Sequence, residues 1–221
     1  MKKTFIIIAA IVAAAISLPS CSMKDNYKVD GQLVNAVVTV KNEGGKCALQ
    51  VQDDIRVYPT NAKEGLFGGR EVRALTQFTT KSKEPIVNGQ EVELLWIDSI
   101  LTKKALVAED GIEYGKDAVD IYNDWLTVAE DGYVTLHIRT YMGYGNVSHI
   151  VNLIGGVNPE NPYEFEFCHD AKGDLDGRVN DAVVAFNVRD FLPETAGDVE
   201  LTIRFKSFSG PKSFTLKTKV Q

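Results

Sequence analysis

Two histidines, His149 and His169, lie near the ends of two β-like runs, residues 147–154 and 163–169. If the runs pair as a hairpin with Leu153 opposite Phe165, then Val151 faces Phe167 and His149 faces His169, with Asp170 and Asp174 close by. Two imidazoles and a carboxylate would make a transition-metal set. The plainer reading is a histidine pair hydrogen-bonded at a sheet end, and on it no metal ligand is assigned. His137 falls on the polar face of its own strand and reads as solvated. Asp124 beside Trp125 could hold a sugar by stacking and hydrogen bonding, but a tryptophan buried in a β core is the expectation. The stretch Asp170-Ala171-Lys172-Gly173-Asp174-Leu175-Asp176-Gly177 has the rhythm of a calcium loop. Lys172 stands where an acid belongs and no glutamate follows at the required distance, so it reads as an acidic surface turn. Gly143-Tyr144-Gly145 lacks the third glycine and the following helix of a dinucleotide fingerprint. There is no phosphate-binding loop, nucleophile elbow or HExxH. No catalytic or cofactor-binding residue is therefore assigned, and the chain is not read as an enzyme. Carboxylate pairs that converge only in three dimensions lie beyond such a reading.

The residue whose chemistry is assigned is Cys21. Lys2 and Lys3 precede an uninterrupted apolar run over residues 5–16. The run is too short for a bilayer core, which takes about 20 residues, but it fits a secretory signal. Ser17-Leu18-Pro19-Ser20-Cys21 then resembles the lipobox of bacterial lipoproteins, with Pro19 replacing the more usual small residue. The resemblance implies a signal peptide over 1–20, cleavage after Ser20, acylation (palmitate among the chains) on Cys21, and an outer-membrane address. Whether the body faces the periplasm or the cell surface stays open. Each buried methylene contributes about 0.8 kcal/mol, so several acyl chains hold where one would not.

Two of the 24 Lys and Arg residues lie in the signal, leaving 22 against 30 acidic residues, a net charge of −8. No basic stripe with interleaved aromatics is present, which argues against nucleic acid. Nor would anionic lipid attract this body, so the membrane contact must come from Cys21. Cys47 and Cys168 both sit in β-like runs; they are either a disulfide or, as preferred, two buried thiols in separate units. Residues 21–30 form a polar lipidated tether reaching about 30 Å when extended.

The elements that would position these groups are strands. Val34, Ala36, Val38 and Val40 alternate with polar residues, and Cys47, Leu49 and Val51 follow after the Glu43-Gly44-Gly45-Lys46 turn. Asp53-Asp54 turns the chain into Arg56-Val57-Tyr58. Residues 62–78 show no clear strand pattern, and Gly65, Gly68 and Gly69 mark a flexible loop within them. A strand from Gln90 carries Val92, Leu94 and Trp96 on one face and Leu95 and Ile97 on the other, and residues 101–109 supply a last strand. Five strands in residues 31–114 suit a small OB-like barrel. Beyond a break at residues 111–116, residues 115–221 hold about seven alternating strands, among them Val199, Leu201, Ile203 and Phe205, a β-sandwich count. The predicted fold class is all-β, an OB-like barrel followed by an antiparallel β-sandwich.

In order and spacing, the lipobox, VVTVK…ALQVQDD, YPTN, GQEVELLW, SILTK, DIYNDWL, HIVNL, EFCHDAKGD and VAFNV together resemble the NigD-like lipoproteins of Bacteroides-type bacteria. Ile55 departs from the glycine expected after the acidic pair. The resemblance implies an N-terminal OB-like domain, a C-terminal β-sandwich, and bacteriocin immunity as the role proposed for the family. The reading adopted is a non-enzymatic protein that binds an envelope partner, a glycan or, by the family analogy, a toxin. The alternative is a glycan- or ligand-binding module using the OB-like domain.

Overall fold

The computed structural model describes residues 31–62, 65–143 and 147–220. The signal, the tether and Cys21 lie outside the described residues, as do Tyr144 and Gly145.

Five strands close a barrel in the order β1-β2-β3-β5-β4: β1 (Leu33–Glu43), β2 (Lys46–Gln52), β3 (Ile55–Pro59), β4 (Val72–Thr79) and β5 (Gln90–Ser99). β3 and β5 run parallel while the remaining neighbours are antiparallel. Alternate positions point to opposite faces, so Val38, Val40, Leu49, Val57, Ala74, Phe78 and Val92 fill the interior. Cys47 also lies there, a free thiol that burial pushes up in pKa. The Asp53-Asp54 turn closes with no positive φ, so the glycine missing at Ile55 costs nothing in backbone strain.

The stretch without a clear pattern, residues 62–78, holds a strand: β4 begins at Val72 and closes the barrel between β1 and β5. One expectation is corrected here. The segment expected as the barrel's last strand pairs elsewhere. β6 (Leu101–Lys104) and β7 (Leu106–Val107) join two different sheets of the second half.

Those sheets comprise β6 and β7 with β8 (Asp120–Ile121), β9 (Val128–Glu130), β10 (Tyr133–Met142), β11 (Ile150–Gly155), β12 (Glu164–Asp170), β13 (Arg178–Asn187), β14 (Gly197–Ser207) and β15 (Gly210–Val220). One sheet has the order β6-β13-β10-β8 with β9 also on β10; the other is β15-β14-β12-β11-β7. Val134, Leu136, Ile138, Val184 and Phe186 of the first pack face to face on Leu153, Phe165, Phe167, Leu201 and Ile203 of the second. Burying each such side chain contributes about 1.5–3 kcal/mol. β6–β13, β7–β11 and β12–β14 are parallel, a departure from the wholly antiparallel sandwich expected. Cys168 is a buried free thiol, pushed up to about 11 by desolvation. No helix of the described residues is long and apolar enough to cross a membrane.

The barrel packs on the outer face of β10 and β13. Val37, Ile100 and Ala185 are buried in that seam, with Leu75, Leu126, Val128 and Val183 against them. Through the same seam runs a buried guanidinium. Arg73, wholly inaccessible, donates from Nη1 to Thr39 Oγ1 (3.0 Å) and from Nε to Thr135 Oγ1 (3.3 Å), and Nη2 lies 3.7 Å from Glu130 Oε2.

Candidate functional site

The outer face of β10 is built by Tyr133, Thr135, His137 and Arg139, because Val134, Leu136 and Ile138 are turned to the core. The barrel covers the first two and leaves His137 and Arg139 beyond its edge. From the barrel side, Leu75 of β4 stands opposite Asp98 of β5, and Gln77 opposite Trp96. Directly paired residues share a face, so Leu75, Asp98, Gln77 and Trp96 all project from the outer surface of the barrel. Between the two units lies a crevice of about 320 Å³, lined by Leu75, Asp98 and Ser99 from the barrel and by His137, Asp181 and Val183 from the sandwich.

Two of its polar groups, His137 and Asp181, are held by neighbouring side chains. His137 Nδ1 lies 2.7 Å from Asp124 Oδ2, and Thr127 Oγ1 accepts the His137 backbone N–H. The imidazole stacks on Tyr122 at 4.6 Å. Arg139 covers the Tyr122 ring, also at 4.6 Å, and donates two bonds to Asp181, at 2.7 and 3.0 Å, the bidentate pairing that fixes a guanidinium most firmly. His137 is therefore not solvated as expected, but oriented by a carboxylate and an aromatic face. A His–Asp pair becomes a general base only with a proton donor in reach of the ring. Ser99 lines the same crevice, yet no described hydroxyl or thiol hydrogen-bonds to the imidazole.

Both tryptophans reverse an expectation, and Trp96 projects from the same face of β5 as Asp98, which lines the crevice. Trp125 was expected in the sandwich core. It is instead 57% exposed, in a turn closed by the Thr127 N–H on the Asp124 carbonyl, and the neighbouring Leu126 takes the apolar place in the seam. Trp96 was expected to share a face with Val92 and Leu94. The register breaks between Gln77 and Phe78, which leaves Leu95 as the extra residue of a β-bulge. A bulge reverses the alternation beyond it, so Leu94 stays inward and Trp96 turns out, 42% exposed. Sequence reasoning could not place this bulge, since a run of Leu94, Leu95, Trp96 and Ile97 fits either face.

His149 and His169 do meet, though not in the expected register. β11 and β12 pair Leu153 with Phe167 and Val151 with His169, two residues off. His149, just before β11, reaches His169 diagonally, Nδ1 to Nε2 at 2.9 Å. Its Nε2 lies 3.3 Å from Asp174 Oδ2, which also accepts the Gly143 N–H. Burial first, and then the neighbouring His149, lower the pKa of His169. The facing nitrogens are spent on each other. Asp170 turns away to the Lys172 ammonium and backbone N–H, so the carboxylates of the 170–177 turn do not converge. Among the described residues no group of three or more His, Cys, Asp or Glu is disposed to hold a metal.

The chain belongs to the NigD-like family: residues 102–218 match the NigD-like C-terminal beta sandwich domain. Among solved structures it is similar to a protein from Parabacteroides distasonis described as toxin-related. That protein is 28% identical, with TM-score 0.66, over 84% of this chain and 93% of the other. A NigD-like immunity protein from Bacteroides caccae shares the fold at 14% identity and TM-score 0.59, over 83% and 92% of the two chains. So does a provisionally assigned lipoprotein from Bacteroides fragilis, at 12% identity and TM-score 0.53, over 86% and 99%. No curated protein matches the chain.

Proposed function

We propose that this chain is a non-enzymatic lipoprotein of the cell envelope, anchored in the outer membrane through acylated Cys21, that acts by occupancy: it binds an incoming toxin or that toxin's envelope target. The observation that carries the reading is a pair of half-exposed tryptophans near this crevice, Trp96 on the face of β5 that also carries Asp98 and Trp125 next in sequence to Asp124, the carboxylate that holds His137. Large aromatic side chains left half open beside a rigid polar lining are what protein interfaces use as anchors. Family membership and the immunity and toxin-related descriptions of similar structures support a toxin as the occupant. The position of Trp125 next to Asp124 favours one second reading, a glycan- or ligand-binding module whose OB-like barrel contributes Trp96.

The test is protection. A deletion strain is challenged with bacteriocin-containing supernatants of related strains and complemented with variants at matched abundance. Trp96→Ala combined with Trp125→Ala should abolish protection without changing the thermal transition. Cys21→Ala should weaken protection by lowering the concentration at the membrane. Protection that survives the tryptophan double variant would sink the crevice as the binding site. Protection lost in Asp124→Asn or His137→Gln alone, with both tryptophans in place and folding intact, would point to catalysis instead.

A further inference from the structure

Beyond the tryptophans, the outer face of β5 carries charge of one sign. Glu93 stands opposite Thr79, Trp96 opposite Gln77 and Asp98 opposite Leu75. Thr79, Gln77 and Leu75 alternate along β4, so Glu93, Trp96 and Asp98 project side by side from one surface. All three are exposed, and among the described residues neither Glu93 nor Asp98 has an ion pair or side-chain hydrogen bond. The cations nearby are already engaged: Lys81 with Glu91, and Arg139 with Asp181 and the Tyr122 ring. The stripe runs into the crevice, where Asp181 adds a carboxylate already paired with Arg139, and where His137 is held by Asp124.

Building on the occupancy reading above, we propose that the occupant is a cationic protein segment presenting Lys or Arg side chains, read by Glu93, Asp98 and Trp96. A ring face attracts a cation within about 6 Å of its centroid, contributing about 0.5–1 kcal/mol at an exposed site. Two unpaired carboxylates on either side of that ring set the positions of successive basic side chains. The charge of −8 after signal removal draws such a partner in from a distance and repels anionic competitors. A neutral glycan could stack on Trp96 as well, but it would gain nothing from unpaired negative charge.

The chain has only two tryptophans, so its tryptophan fluorescence comes from Trp96 on this surface and from Trp125 beside Asp124. The full-length lipoprotein in a neutral detergent is titrated with a ten-residue Lys/Arg peptide, a ten-residue polyglutamate and a neutral β-glucan hexasaccharide. A saturable change with the basic peptide only is expected. It should weaken at least threefold as salt rises from about 50 to about 200 mM, because screening shortens the reach of exposed charges. Glu93→Gln with Asp98→Asn should weaken it at least tenfold while leaving the thermal transition unchanged. No response to the basic peptide, an equal response in the double variant, or saturation by the hexasaccharide without salt dependence would each overturn the assignment. The protection assay separates the two levels. Glu93→Gln with Asp98→Asn still protecting while cation binding is lost sinks the cationic partner alone; Trp96→Ala with Trp125→Ala still protecting sinks the occupancy site itself.

Discussion

At the scale of single residues, the seam between barrel and sandwich is set by Arg73 and Glu130. Desolvation is the largest influence on both, lowering Arg73 and raising Glu130 to about 7. Arg73 is fully buried and bonds groups from both units, so Arg73→Met should destabilise the protein by about 3 kcal/mol, read by denaturant unfolding. Glu130 gives a pH dependence whose sign follows from its shift. The folded state holds this proton up to about pH 7 and the unfolded chain only to about 4.5. Its contribution therefore turns increasingly unfavourable as pH rises through that window and is constant above it. Glu130→Gln should match the wild type near pH 5 and gain relative stability by pH 7.5. A variant that instead loses ground as pH rises would show that attraction to Arg73 outweighs desolvation. None of this was legible in the sequence. In an alternating strand an arginine between Val72 and Ala74 reads as solvent-facing, and the partner Thr135 is 62 residues away.

At the scale of elements, faces were legible where registers were not. The β14 alternation was read correctly: Val199, Leu201, Ile203 and Phe205 are all buried. The β11–β12 hairpin was misplaced by two residues, an error that keeps every side chain on its face and so leaves the hydrophobic pattern equally satisfied. That is why the meeting of His149 and His169 survived a wrong register. The apparent break at residues 111–116 has a different physical content. Gly115 takes φ +102, and a Cβ there would lie 2.5 Å from the His169 carbonyl oxygen. Two residues on, Asp117 donates its N–H to that same carbonyl and accepts the Ala171 N–H on Oδ2. Glycine is needed here for its conformation and for close approach, not for flexibility. Gly115→Ala should cost about 2–3 kcal/mol, since backbone strain of this kind costs about 1–3 kcal/mol before the clash is counted. Thermal unfolding would measure it, and an unchanged midpoint would show that the strap can move aside.

At the scale of the whole molecule, the question is whether barrel and sandwich are separable. Strand pairing places β6 and β7 in the sandwich sheets, with β6 on β13 and β7 on β11. A sandwich cut at residue 115 would lose both strands and bare two sheet edges, each a row of unpaired backbone groups open to association. A fragment of residues 100–221 keeps every sandwich pairing and exposes only the seam, where Leu126, Val128, Val183 and Ala185 meet the barrel. It also leaves behind Arg73, among the described residues the one wholly buried charge, so it escapes that desolvation cost. We therefore expect residues 100–221 to give β-rich circular dichroism and one cooperative transition, at a lower temperature than the full chain because the seam's apolar cluster is gone. Residues 116–221 should melt less cooperatively or associate at micromolar concentration. A disordered 100–221 fragment would mean that the two units share one cooperative core through Arg73 and the seam. Equal stability of the two fragments would mean that β6 and β7 decorate the sheets rather than complete them.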